Sequence, residues 1–441
     1  MSLRLRRGGT GVASPPPSIF GPTAGPAAVR AGASPQAVSV FPGVAGTDFT
    51  QLNPANSSTT NQTTIANDIT GKVWWPKGTY TVPGSGFAIK AGQEHRLESI
   101  AGSTRSAANT AVISTAGGAF GFQTNGAGGA ARTIRGGLIT GGTSYGIVVN
   151  DHDTTIRDGV YELCGTGVLG QFNTTLQRCV LRDNTHSGAT LTTSNWTAMT
   201  VENCEIDNNN TAQDDPAVDA SGIKILHPLQ AAGSLVARFN WVHDNYGRGF
   251  WCDTMWITSV TIEENVIENN VWNGLFYEQS RGTATVQRNY LTGNSVTIVP
   301  PGNWNRAPQM LFARSDGTMG GGGGIDVGWN WVDATADTPA IALIDPNVAS
   351  SNMSGAHVHD NDEWFRSTSD ERTGGKIDAD AFATSPIYTP GNNTFETNHY
   401  HVPNTALPYF AWGVPGGGPS DKTWAQWQAF GHDDAGTFVV I

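Results

Sequence analysis

Charge is scarce in this chain. Asp, Glu, Lys and Arg make up 14% of 441 residues, and the 37 acidic side chains exceed the 25 basic ones, for a net charge of −12. A phosphate backbone is held by clustered positive charge, so nucleic acid is excluded as the expected ligand. Cysteine is scarce too. The four thiols, Cys164, Cys179, Cys204 and Cys252, follow no zinc-ligand spacing. No apolar run is long enough to span a bilayer as a helix, so membrane insertion is not expected. The first residues contain no apolar run of signal-peptide length. No long amphipathic helix pattern occurs before the C-terminal segment. What is abundant is glycine, 55 residues, with Asn and Thr, a composition of short strands and turns.

The strands repeat. "TLQRCVLRDN" begins at Thr175, "TVENCEIDNN" at Thr200, "VARFNWVHDN" at Val236, "TIEENVIENN" at Thr261 and "TVQRNYLTGN" at Thr285. Weaker copies begin at Thr133, Thr155, Asp326 and His357, giving nine copies spaced 20 to 41 residues apart. A period of this length signals a solenoid or array. One column of the repeat reads Gly137, Gly159, Cys179, Cys204, Asn240, Asn265, Asn289, Asn330, Asn361. A second reads Asn184, Asn209, Asn245, Asn270, Asn294. Coils stacked at about 4.8 Å let such amides bond to one another in a continuous ladder. Asparagine also tolerates left-handed backbone, which places these residues at corners between strands. The two cysteines in the first column are expected as small buried thiols, and Cys252 as inward-facing. The pattern predicts an all-β, single-stranded right-handed parallel β-helix of about ten coils.

These repeats resemble the pectate-lyase-like right-handed parallel β-helix superfamily. "GKVWWPKGTYTV" (Gly71 to Val82) is similar to its opening coil, and "NHYHV" at Asn398 and "WAQWQAFGHDDAG" at Trp424 to its closing segment. The resemblance covers roughly residues 46–441. It implies the fold and leaves activity open, because the superfamily holds lyases, hydrolases, epimerases and spike proteins.

Three regions are expected. Residues 1–47 form a Pro/Gly/Ala-rich arm with four arginines and no acidic residue, leaving −16 on the rest. Such an arm is either a flexible leader or an attachment segment. Residues 48–365 are the β-helix, and 366–441 a capping segment. The arrangement resembles tail spikes and minor tail proteins of tailed bacteriophages. That resemblance implies a homotrimer, made in the host cytoplasm and carried on the virion tail. Its arm would contact other tail proteins, and its solenoid would bind, and in some cases degrade, a bacterial surface glycan. The alternative is an extracellular polysaccharide lyase or glycoside hydrolase.

Alternation across strands selects a site. Ala189/Leu191, Ile223/Ile225, Phe250/Cys252 and Leu275/Tyr277 are expected to point inward. Lys224, Trp251 and Phe276 then share one outward column, and Asp253 and Glu278 the next, with His227 and Arg281 just beyond. Exposed aromatics stack on sugar rings and carboxylates bond hydroxyls, so Lys224, His227, Trp251, Phe276 and Arg281 are candidate glycan-binding residues. Asp253 and Glu278, about 5 Å apart, are the candidate catalytic pair. A solvated or subunit-packing face is the competing reading. For a uronate, Lys224, His227, Arg248 and Arg281 supply cations. No cofactor is expected. Calcium is conceivable at Asp214, Asp215 and Asp219, which lack a complete ligand motif. Insertions at 210–221 and 295–324, the latter with Trp304, Arg306 and Gly320–Gly324, are expected to wall the site. A helix capped by Ser420 or Asp421 should bury Trp424 and Trp427 at the C-terminal end.

Overall fold

The computed structural model describes residues 26–33, 49–98, 110–115, 118–124, 129–151, 153–192, 197–215, 220–295, 308–317, 323–334, 338–345, 353–366, 372–377, 386–414 and 420–441. One coil shows how the chain is built. Leu275–Glu278, Arg281–Gln287 and Tyr290–Thr292 follow one another around the axis, and Met310–Ala313 opens the next turn. Each strand pairs in parallel with its equivalent one coil on: Leu275 with Met310, Thr285 with Asp326, Tyr290 with Trp331. The first two strand positions form a 24-stranded sheet and the third a 13-stranded sheet. The molecule is a parallel β-helix with at least thirteen coils, more than the repeat count suggests. The extra coils lie at the ends. Gly78–Thr81 and Thr437–Val440 carry no asparagine mark yet pair in the same sheet.

The expected inward pairs Ala189/Leu191, Ile223/Ile225, Phe250/Cys252 and Leu275/Tyr277 all belong to one continuous apolar core. A slip of one residue would turn each of them outward, so the hydrophobic pattern fixes the register. All four cysteines are buried free thiols.

The asparagine columns are hydrogen-bonded ladders. Asn240 donates from Nδ2 to Asn265 Oδ1, Asn265 to Asn289, Asn289 to Asn330, Asn330 to Asn361 and Asn361 to Asn398, each at 2.9–3.0 Å. The backbone N–H of each donor residue reaches the same oxygen. The second amide hydrogen bonds an interior carbonyl of the preceding coil, Val201 O for Asn240 and Ala237 O for Asn265. A second ladder runs Asn184, Asn209, Asn245, Asn270, Asn294 and stops at Gln309. These amides are fully buried and fully paired, which is the condition for burying them at all.

The corner conformation falls elsewhere than expected. The left-handed residue is the one before each asparagine: Phe239 (φ 57°), Glu264 (55°), Arg288 (54°), Trp329 (54°), Asp360 (51°) and Thr397 (57°). That residue turns the chain, and its successor then points its amide into the corner. A non-glycine residue in this region costs about 1 kcal/mol. The ladder bonds, worth about 1 kcal/mol each, offset the cost.

Parallel pairing does not end at residue 365. Asp362–Phe365 pairs with His399–Val402, which pairs with Thr437–Val440. The segment after 365 therefore adds coils as well as a cap. Its helix α3 (Trp424–Gln428) is capped by Thr423, not by Ser420 or Asp421, in a reciprocal pair with Gln426. Thr423 wins because only it stands three residues before a Gln that can return the bond. Trp427 is buried, and Trp424 packs half-buried against the core. At the other end, helix α2 (Ser58–Asn67) puts Ile65 into the core. Its Thr-rich sequence gives no amphipathic signal. Part of the N-terminal arm also folds back on the solenoid. Helix α1 (Pro26–Gly32) packs Val29 against Val266 and Tyr290, and Arg30 pairs with Glu268 at 2.6 Å.

The first ladder ends on a carboxylate. Asp433 Oδ1 accepts the Asn398 amide at 2.9 Å, and Oδ2 accepts the Tyr400 hydroxyl at 2.7 Å and the Trp427 indole at 2.9 Å. An acceptor-only group suits a position where four donors converge, the Asn398 backbone N–H being the fourth at 2.9 Å. Asp433→Ala strands those donors and should cost about 3 kcal/mol in urea unfolding. Asp433→Asn should cost less, since its oxygen still serves Asn398.

Candidate functional site

Two outward columns of the large sheet carry the candidate side chains. Thr190, Lys224, Trp251, Phe276, Leu311 and Ala342 stand opposite one another rung by rung. Thr192, Leu226, Asp253, Glu278, Ala313 and Ile344 form the neighbouring column by the same pairings. Lys224, Trp251, Asp253, Phe276 and Glu278 are thus brought together on three successive rungs. This is the arrangement that strand alternation predicts.

The aromatic row is not an open platform. Trp251 is 2% exposed and Phe276 3%. They stack with centroids 5.8 Å apart and join Leu311, Ala313, Ala342 and Ile344 in a second apolar cluster outside the solenoid core. Cations cover them. Lys224 Nζ lies 3.7 Å from the Trp251 ring centroid. The Arg248 guanidinium lies 4.0 Å from Trp251, 4.4 Å from Phe276 and 5.0 Å from Trp272. Ring faces attract cations, and the long Lys and Arg stems shield the rings from water. Trp251 and Phe276 therefore support the charged groups and are not themselves available to stack on a sugar.

His227 also departs from expectation. The pairing shifts between Leu226 and His227, which puts His227 opposite Met255 and buries it completely. Such an irregularity re-aims every following side chain, and strict alternation cannot foresee it. Arg281 lies past the corner at Ser280, with its guanidinium 4.2 Å from the Trp256 ring. That corner is a short serine ladder. Met255 N–H donates to Ser280 Oγ at 3.0 Å, and Ser280 N–H to Ser315 Oγ at 3.2 Å.

The carboxylates keep unlike company. Asp253 Oδ2 lies 3.4 Å from Lys224 Nζ, and its Oδ1 accepts the Thr254 hydroxyl at 2.7 Å. Glu278 sits one rung on, and its carboxyl is raised above the ordinary value. Burial is the main cause, and the Asp253 charge adds to it. Arg248 and Arg314 pull the other way. Arg314 is a member of this group that repeat reading passes over. It occupies the left-handed corner position (φ 52°) equivalent to Gln279 and Thr254 in the preceding coils, and that equivalence is its only sequence signal. The group can exchange a proton through Glu278, which feels the charges of Asp253, Arg248 and Arg314.

The acidic insertion does not converge on this site as a ligand set. Asp214 and Asp215 are exposed, and Asp214 contacts His186. Asp219 lies outside the described residues, as do Trp304, Arg306 and Gly320–Gly322. Among the described residues, no three potential metal-ligand atoms meet at Asp253 and Glu278.

Residues 229–327 match the family model for the right handed beta helix region, and the chain is a right-handed parallel β-helix. No curated protein matches it. Solved structures with a similar path include the A-modules of the Azotobacter vinelandii mannuronan C-5 epimerases AlgE6 and AlgE4. Each is 15% identical with a TM-score of 0.40, over 74% of this chain and 91% of that one. Pectate lyase Pel9A is 12% identical with a TM-score of 0.34, over 81% of this chain and 80% of that one. Likeness at this level does not carry an activity across.

Because Trp251 is a packed support, Trp251→Ala should lower stability by roughly 3–4 kcal/mol in chemical denaturation. A surface stacking residue would leave the unfolding midpoint in place.

Proposed function

We propose that this face binds an acidic, uronate-bearing polysaccharide and cleaves it. The observation that supports this is the half-buried Asp253–Glu278 pair, one rung apart, enclosed by Lys224, Arg248 and Arg314. The cations on this face would attract a sugar carboxylate. The carboxylates themselves are placed for proton transfer. In this reading Glu278, its pKa raised chiefly by burial, donates to the departing glycosidic oxygen. Asp253, paired with Lys224, is the carboxylate on the other side of the bond. Carboxyl groups one rung apart suit the closer, retaining arrangement of glycosidases. The cations on this face suit a second route on the same residues. There the sugar carboxylate is neutralised, a ring proton is removed, and the bond breaks by elimination.

We place this activity on a bacteriophage tail, in a homotrimer that meets a bacterial surface glycan. The arginine-bearing, Pro/Gly/Ala-rich composition of the segment ahead of the solenoid supports that setting. Labelled antibody should decorate tails in electron micrographs, and sedimentation of the full chain should give a trimer. Free protein only, or monomer at micromolar concentration, would leave an extracellular polysaccharide lyase or hydrolase.

Asp253→Asn and Glu278→Gln should each abolish turnover of an acidic polysaccharide while retention on that polysaccharide persists. Wild-type turnover should fall as pH rises past the raised Glu278 value, because the acid form is the working one. Reducing ends without ultraviolet absorbance indicate hydrolysis, and unsaturated uronate absorbance indicates elimination. Full turnover in both variants would remove the pair from the chemistry.

A further inference from the structure

A second cluster lies on a different face, at the C-terminal third of the solenoid. Strands Ile325–Gly328, Ala356–His359 and Thr394–Glu396 are consecutive rungs. His357 and His359 are two residues apart on one strand, so both imidazoles project from the same side. Their rings stack with centroids 4.3 Å apart. Asp326 stands directly opposite His357 on one neighbouring rung, and Glu396 opposite His359 on the other. Ligand atoms of Asp326, His357 and His359 all lie within 4.8 Å of one another.

The groups around them are arranged as supports. His359 Nδ1 is 2.8 Å from Asp360 Oδ2, which leaves Nε2 directed at Asp326 Oδ1, 2.6 Å away. Gln287 Nε2 donates to Asp326 Oδ2 at 2.6 Å and fixes that carboxylate. A carboxylate on the far nitrogen of a histidine, and an amide on the far oxygen of an aspartate, are what metal ligands ordinarily carry. His357 Nε2 is a buried atom with no hydrogen bond, and Glu396 Oε2 lies 3.3 Å from it. Room for the His359 ring has been left below it. Gly328 occupies a column filled by Glu263 and Gln287 on the preceding rungs. A Cβ there would stand 2.5 Å from His359 Cε1. The exposed Trp329 closes the side, edge-on to His359 at 4.7 Å.

We infer that Asp326, His357 and His359, with Glu396 as a fourth ligand, bind a zinc-type divalent cation that clips three successive coils together. Two imidazoles and carboxylates suit zinc, which binds them at about 2.0–2.2 Å in a tetrahedron. Calcium, which takes six or more oxygens, does not fit two nitrogens. On binding, the contact between His359 and Asp326 is replaced by two bonds to the ion, and any proton they share is released. The other group of this kind among the described residues, Glu205, Asp207 and His243, has its imidazole held by Asp244, whose Oδ2 lies 2.7 Å from His243 Nδ1. Burial pulls His243 down, but its hydrogen bond to Asp244, the Glu205 carboxylate 3.7 Å from Nε2 and the Asp207 charge outweigh it and lift His243 to about 9.

The test is titration of the full, chelator-treated chain with zinc chloride, by calorimetry and by thermal unfolding. One saturable equivalent of zinc is expected, with a Tm that climbs with zinc concentration. His357→Gln should remove both effects, and His243→Gln should remove neither. Gln287→Ala, which touches no ion, should weaken binding by roughly 10–100-fold. X-ray absorption of the zinc-loaded wild type should show two imidazoles, and it keeps the site testable if a variant fails to fold. Absence of saturable binding overturns the inference. So does wild-type affinity in folded His357→Gln, loss in His243→Gln alone, or an equal response to calcium.

Discussion

Every coil of this protein is held to the next by one condition: polar groups at the corners must find partners a single rung away. Backbone amides meet that condition through the sheets. The corner asparagines meet it through their side chains, each using both amide hydrogens and its oxygen on adjacent coils. An amide with two lattice partners fixes height, and the left-handed residue before it fixes direction. The core agrees with this, because the apolar pattern of the strands and the corners locked at one height select the same register. It also explains how a chain this poor in charge stays specific. The ladders supply the register that ion pairs and disulfides supply elsewhere.

The fold was legible because the ladder writes itself into the sequence. Asn240, Asn265, Asn289, Asn330 and Asn361 are readable as a column although their spacing varies. Inward pairs such as Phe250/Cys252 and Leu275/Tyr277 follow by counting. What escaped had no periodic mark. Helix α2 is built from threonine, asparagine and one isoleucine that matters. Helix α1 docks through Val29 and Arg30 on residues more than 200 positions away. The final rungs use Asp433 as terminator, and a single aspartate with four donors around it has no local signature.

The site was legible to the level of columns and no further. Alternation placed Lys224, Trp251, Asp253, Phe276 and Glu278 on one side. It could not say that Trp251 and Phe276 would lie beneath Lys224 and Arg248, because depth depends on long side chains folding over the sheet. Nor could it place His227, which sits one residue past an irregularity in pairing. Arg314 was hidden by position, since the left-handed corner reads Thr254, Gln279 and Arg314 in successive coils and the residue behind it changes from Met255 to Ser280 and Ser315. Direction is a property of the strand and can be counted. Exposure is a property of the neighbours and cannot.

Sequence separation has little meaning on such a scaffold. Asn265 and Asn289 are 24 residues apart, and Asn289 and Asn330 are 41 apart, yet the two bonds measure 2.9 and 3.0 Å. The strands on either side of the extra residues still pair at consecutive heights. Chemistry on the outside therefore obeys rung distance alone. Asp253 and Glu278 are neighbours for the same reason as Asp326 and His357: one coil separates them, whatever the chain does between. A pair of functional groups can arise by substitution in either of two adjacent columns, without new backbone. Long insertions can then be added over a site without moving it. The ladder makes that possible, since it holds the rungs still while the columns outside them change.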